Sequence, residues 1–290
     1  MNSKVVVKIN EIKSDEIHGA GWLSRQAINA MNLAIEESQV DNTTDLVKEI
    51  SMVARKLMKA RPSMVSIANY THQLLQQVIL LEQNDKEISS VKSLALAQGN
   101  ELIRLSEEAA SEAARNAAAM IGNLDIVMTC SYSSATCHTF EIAKEISSSF
   151  LVIIAESWLG DKAYGEAAAR QLEQCHIQVE VIPDKTIEQR MSKAEKVLVG
   201  ADSILADGSL INGTPTYRLA RAAAKAKIAF YAVCETAKFD IHSCMDKEAE
   251  PEPGFERIPP RLITGIITED GIMKPRQAAA YIKKMSSRLS

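Results

Sequence analysis

Proton transfer, nucleophilic attack and anion binding each need particular side chains, and this 290-residue sequence repeats candidates for all three in one kind of place. Cys130 and Ser131 follow Thr129 at the end of one short apolar run, and Asp202 follows another in Gly200-Ala201-Asp202. Glu156-Ser157, Asp184 and Glu235-Thr236 close three more. A carboxylate can relay a proton, a thiolate can attack, and hydroxyl or amide donors can hold an anion. Taken singly, each residue is as well explained by loop solvation or helix capping. For Asp202, accepting backbone N–H bonds from the next turn weighs equally with an acid/base role. The shared position suggests a pocket.

Other chemistries are disfavoured. Cys130, Cys137, Cys175, Cys234 and Cys244 form an odd set without CxxC spacing, so neither a zinc site nor a disulfide framework is expected. The five histidines are scattered without ligand spacing, and no metal is expected. No GxGxxG or Walker segment follows a strand, so no nucleotide cofactor is expected. With 33 Lys and Arg against 37 Asp and Glu, the net charge of -4 offers no general attraction for nucleic acid, and direct binding is not expected. No segment reaches the roughly 18 to 20 apolar residues of a membrane span, and the protein is read as cytoplasmic.

The elements that must position these residues fall into two parts. Residues 1–122 are expected to be a helical domain, with helices read from about Ser14 to Gly122 by apolar spacing of three and four. Ser14-Asp15 is read as a cap for a helix starting near His18-Gly19-Ala20-Gly21, and Asn42 to Asp45 as a cap for the next, which Arg61-Pro62 stops. A long helix is expected from Lys92 to Met120, ended by Gly122-Asn123. Residues 123–290 change period: DIVMT, LVIIAES, VEVIP, KVLVGAD and IAFYAVCE are strand-like runs between helical segments. The fold class is therefore α/β, a helical N-terminal domain followed by a Rossmann-like parallel sheet, whose ligand crevice lies beyond the carboxyl ends of the strands. The tail after Asp240 reads as loop through EAEPEPGFERIPP, then a strand in LITGIITEDG and a helix over 275–290.

Four segments in order, IHGAGWLSRQAINA, ARPSMVSIANY, VGADSILADGSLIN and FERIPPRLITGIITEDG, together with CETAKFD, resemble the translation initiation factor 2B alpha/beta/delta subunit family. That family includes ribose-1,5-bisphosphate and methylthioribose-1-phosphate isomerases. The resemblance implies a phosphorylated small molecule as ligand and a homodimer or higher oligomer through the C-terminal domain. It also implies one of two functions: a regulatory or weakly catalytic binder of a sugar phosphate or nucleoside monophosphate, or an aldose-ketose isomerase. In the isomerases an aspartate and a cysteine do the chemistry. The aspartate matches Asp202; the cysteine position is Ser131, and Ser131-Tyr132-Ser133 is similar to the regulatory branch. Cys130 is the neighbouring thiol, turned to the opposite face if the segment is extended. Arg61-Pro62-Ser63 resembles the family's Arg-Pro-Thr phosphate contact, with Ser63 supplying a hydroxyl. Beside it, Gly19, Ala20 and Gly21 would let backbone approach a phosphate, Arg25 is a further basic group, Lys238 follows the last core strand and could reach the crevice, and Asn212 is a candidate donor. It departs at Gly213-Thr214-Pro215, which lacks the family's lysine and replaces a glycine N–H donor by proline, and at Glu156-Ser157-Trp158, where Trp158 stands for an arginine.

Overall fold

A computed structural model of the chain describes residues 2–84, 87–146, 149–242 and 251–287, which leaves Cys244 and the Glu248–Glu250 part of the acidic stretch outside the described residues. The chain forms two compact units, Met1–Glu108 and Ala109–Ser290. The first contains α1 (Ser3–Ser14), α2 (Ala20–Glu37), α3 (Thr43–Met58), α4 (Val65–Asn84) and the first part of α5 (Ile88–Ala118). Asn42 caps α3 as expected, accepting from the Asp45 N–H at 2.9 Å. Asp15 instead caps the turn before α2, accepting from the Ile17 and His18 N–H groups at 2.9 and 2.7 Å, and the N-cap itself is Gly19. Sequence reading missed α1. Its Val5-Val6-Val7 run looks like a strand, but Val5, Ile9 and Ile12 share one helical face and are buried there.

The second unit continues with β1 (Ile126–Cys130), α6 (Ser134–Ile146), β2 (Leu151–Ala155), β3 (Trp158–Leu159), β4 (Lys162–Ala163), α7 (Tyr164–Gln174), β5 (Gln178–Ile182) and α8 (Ile187–Met191). Then come β6 (Lys196–Val199), β7 (Ser203–Ile204), β8 (Leu210–Gly213), α9 (Thr216–Ala226), β9 (Ala229–Val233), β10 (Phe255–Ile258), β11 (Gly265–Thr268), β12 (Gly271–Met273) and α10 (Pro275–Ser286). Seven strands form one sheet in the order β12-β11-β9-β6-β1-β2-β5, parallel except for β12. Alternate residues serve the two faces, as the period of two requires. Met128, Cys130, Val197, Val199 and Phe230 pack with residues of α8, α9 and α10; Val127, Leu198, Val152 and Ile154 pack with residues of α5, α6 and α7. The expected strands are all present. The FERI segment, read as loop, is instead β10, joined to β8 and β7 in a small antiparallel sheet.

The winding fixes where a ligand can enter. From β1 the chain adds β2 and β5 on one side, then returns to add β6, β9 and β11 on the other. Winding therefore reverses between β1 and β6, and the loops leaving their carboxyl ends depart in opposite directions. In doubly wound sheets such a reversal is where a crevice lies beyond the carboxyl ends of the strands.

Candidate functional site

Ser131 and Ser133 leave the end of β1, Gly200 to Asp202 leave the end of β6, and β8 brings Asn212 and Gly213 over the same place. A Cβ at Gly200 would lie 2.2 Å from Ser133 Oγ, and one at Gly213 would lie 3.5 Å from Ser131 Oγ. Gly200 thus lets the β1 loop come close, whereas at Gly213 a Cβ would make only ordinary contact with it. Asp202 is half-buried, and its N–H donates to the Ile211 carbonyl at 2.9 Å, which locks the Asp202 backbone to β8. A bridge between Ile204 and Phe239 adds the segment after β9 and brings Lys238 alongside. Of the residues proposed from sequence, the second unit therefore gathers Cys130, Ser131, Asp202, Asn212 and Lys238 at one end of the sheet.

Their chemical states differ from one another. Cys130 is buried, with Sγ 3.3 Å from Thr216 Oγ1. Thr216 donates its one hydroxyl hydrogen to the Gly213 carbonyl at 2.5 Å and accepts from Asn212 Nδ2 at 2.9 Å. The hydrogen between sulfur and oxygen must then come from the thiol. Burial pushes that thiol up to about 12, so at neutral pH it carries no thiolate. Ser131 has φ of 59°, in the left-handed region that costs a non-glycine residue on the order of 1 kcal/mol. Its N–H donates to Ser157 Oγ at 2.6 Å, which helps hold the turn. Lys238 is buried, and its Nζ lies 3.7 Å from Glu235 Oε2.

Several of the other strand-end polar residues serve the backbone. Ser157 donates its hydroxyl to the Ala155 carbonyl, and its N–H and that of Trp158 donate to the two Asp184 oxygens at 2.8 and 3.3 Å. Glu156 accepts from the Trp158 indole at 3.0 Å, and Thr236 donates both N–H and hydroxyl to Glu269. The first turn of α9 is also occupied. Glu256 accepts from the Tyr217 N–H at 2.8 Å and from the Thr214 hydroxyl at 3.0 Å, so a carboxylate of the chain itself fills the positive end of that helix. With Pro215 contributing no N–H, this corner offers little to a phosphate. No local signal announced Glu256, which is 39 residues away from Tyr217 in sequence.

In the first unit, Gly19 opens α2 without a side-chain cap, and Ala20 and Gly21 are buried in its first turn. Arg61 Nη1 donates to the Asp15 carbonyl at 2.6 Å, and Arg25 Nε lies 3.6 Å from Glu107. Ser63 is fully buried. The Arg61 guanidinium thus braces the loop before α2, the same loop whose His18 ring stacks on Trp22 at 3.7 Å. Burial would raise the Asp15 carboxyl, but hydrogen bonds from the His18 ring and from the backbone of His18 and Ile17 hold it below its ordinary value.

A helical unit, followed by a doubly wound, mostly parallel sheet with polar residues gathered at its winding reversal, defines an α/β architecture. The sequence profile of the initiation factor 2 subunit family matches residues 16–257, and the chain belongs to that family. It is 31% identical over 284 residues to a translation initiation factor eIF-2B subunit 2-like protein of Pyrococcus abyssi, covering 94% of this chain and 97% of that protein. It is 27% identical over 306 residues to the ribose 1,5-bisphosphate isomerase of Thermococcus kodakarensis, covering 97% and 94% of the two chains. The crystal structure of the Pyrococcus horikoshii translation initiation factor eIF-2B superimposes with a TM-score of 0.82 at 29% identity, covering 96% of this chain and 99% of that one.

Proposed function

We propose that the protein binds a phosphorylated ribose derivative, a sugar phosphate or a nucleoside monophosphate, in the crevice above β1 and β6, and acts as a regulatory or weakly catalytic member of its family. The observation that carries this reading is the state of the residues around Cys130. Ser131 stands where the resembling isomerases carry their cysteine, and the neighbouring thiol is buried, raised to about 12 and hydrogen-bonded to Thr216. A hydroxyl there stays protonated at neutral pH, so an attacking or proton-accepting group is missing. Polar groups suited to holding a ligand remain: Asn212 over the crevice, Asp202 at the end of β6 and Lys238 in the segment after β9. As in the resemblance, the protein is read as a cytoplasmic homodimer or higher oligomer formed through the second unit, which sedimentation would register as a multiple of 31.7 kDa.

Asp202 supports a second reading, an active aldose-ketose isomerase in which this carboxylate moves the proton. The two readings part in one set of measurements. Ribose 5-phosphate, ribose 1,5-bisphosphate and adenosine monophosphate are each added to the purified chain, and the melting temperature is followed. A ligand at a hundred times its Kd should add about 2.7 kcal/mol of stability. In parallel, ribose 1,5-bisphosphate is incubated with the protein and ketose formation is assayed. A melting shift without turnover is the expected result. Turnover that disappears in Asp202→Asn would establish the isomerase instead, and no shift with any of the three compounds would end both readings.

A further inference from the structure

We propose that the Glu235 carboxylate is itself a ligand-binding group, whose Oε1 accepts a hydrogen bond from a hydroxyl of the sugar. This deepens the sugar-phosphate reading above and rests on it. Val199 of β6 pairs with Ala232 of β9, so Asp202 and Glu235 each stand three residues past the same rung of the sheet, at its carboxyl end. Glu235 is 1% exposed, yet its Oε1 has no hydrogen-bond partner among the described residues. An unsatisfied buried oxygen is unusual, and for a carboxylate it is costly, because the ion forgoes strong bonds to water. The other oxygen, Oε2, faces Lys238 Nζ at 3.7 Å.

This pairing selects the chemistry of the missing partner. Lys238 already balances the charge of Glu235, so what Oε1 lacks is a donor rather than a cation. A carboxylate only accepts, and it repels phosphate oxygens. A neutral O–H therefore fits, and among the parts of a phosphorylated ribose only the sugar supplies one. Glu235 would read the hydroxylated end of the ligand and contribute nothing to holding its phosphate.

Calorimetric titration of the full chain and of Glu235→Gln, each with ribose 5-phosphate and with inorganic phosphate, tests this. The isosteric amide removes the charge of the acceptor while keeping its volume. Ribose 5-phosphate should bind the variant about tenfold or more weakly, since hydrogen bonds to charged groups are worth at least that factor, while phosphate, relieved of the carboxylate's repulsion, should bind no more weakly than to the wild type. Equal losses for both ligands would mean that Glu235 acts only by placing Lys238, and no loss for either would mean that an ordered water serves Oε1. Either result overturns the proposal and leaves the sugar-phosphate reading standing. A wild-type chain that binds neither compound, nor adenosine monophosphate, would instead overturn that reading. A crystal structure of the wild type with ribose 5-phosphate decides independently of how the variant folds: a sugar hydroxyl within about 3.2 Å of Oε1 supports the proposal, and a bound ligand without one overturns it.

Discussion

Thr216 has one hydroxyl hydrogen, and the Gly213 carbonyl takes it. That leaves the Cys130 thiol as donor, in a place where ionising it would bury a charge. The pH dependence follows from the sign of the shift. The thiol rises from an ordinary 9.0 to about 12 on folding, so between those values the unfolded chain releases a proton that the native chain keeps. Stability contributed here is whole below about pH 8 and falls as pH climbs from 9 towards 12. Urea denaturation midpoints should therefore drop over that range, less steeply in Cys130→Ser, with the two proteins parallel at pH 7. Equal slopes would show that the thiol ionises as freely in the native protein as in the unfolded one. The local sequence carried half of this: Ser131 and Cys130 could be told apart by their offset from Thr129. The commitment of the thiol could not be read, because Thr216 lies 86 residues away.

Elements were legible where one physical signal dominated. Apolar runs such as LVIIA and KVLV became β2 and β6 because both faces of the sheet are covered, which needs no alternation in the sequence. Signals in conflict misled. In α1, three consecutive valines favour strand, while Val5, Ile9 and Ile12 fit a helix face, and burial of that face decides. Ile12→Ala should cost about 2–4 kcal/mol in a urea titration, whereas Val7→Ala, at a 55% exposed position, should cost under about 0.5 kcal/mol. Comparable losses at both sites would argue that α1 does not bury the face assigned to it. β10 was hidden for a different reason. Its partner β8 is 42 or more residues earlier, and a short strand flanked by prolines resembles a loop until its antiparallel neighbour is known.

At the scale of the molecule, the expectation of a helical part before a sheet part holds, and the switch from three- and four-residue spacing to short apolar runs was sufficient to see it. Where compactness divides the chain was less visible. The two units meet within α5, at Glu108, because the helical period runs on without a break while its role changes. Ala117 and Ala118 of α5, with Ile121 just after it, cover Val127, Val152 and Ile154 on one face of the sheet, and Asn116 Nδ2 donates to the Thr268 carbonyl at 2.9 Å. A fragment starting at Asn123 would uncover the part of that apolar face that α5 protects, and on gel filtration it should aggregate; one starting at Ala109 keeps the cover and should elute as a defined species. Identical behaviour of the two would show that the last turns of α5 contribute nothing to the sheet.

The same continuity of α5 governs how relatives of this chain can be recombined. The turn at Gly122 invites a crossover, being the visible seam between helical and sheet-like sequence. A hybrid joined there would set the last alanines of one parent's helix against strands selected beside another's. A crossover placed near Glu108 transfers cover and sheet as a matched inheritance, so gene fusions within this family should succeed in the middle of a helix and fail at its end.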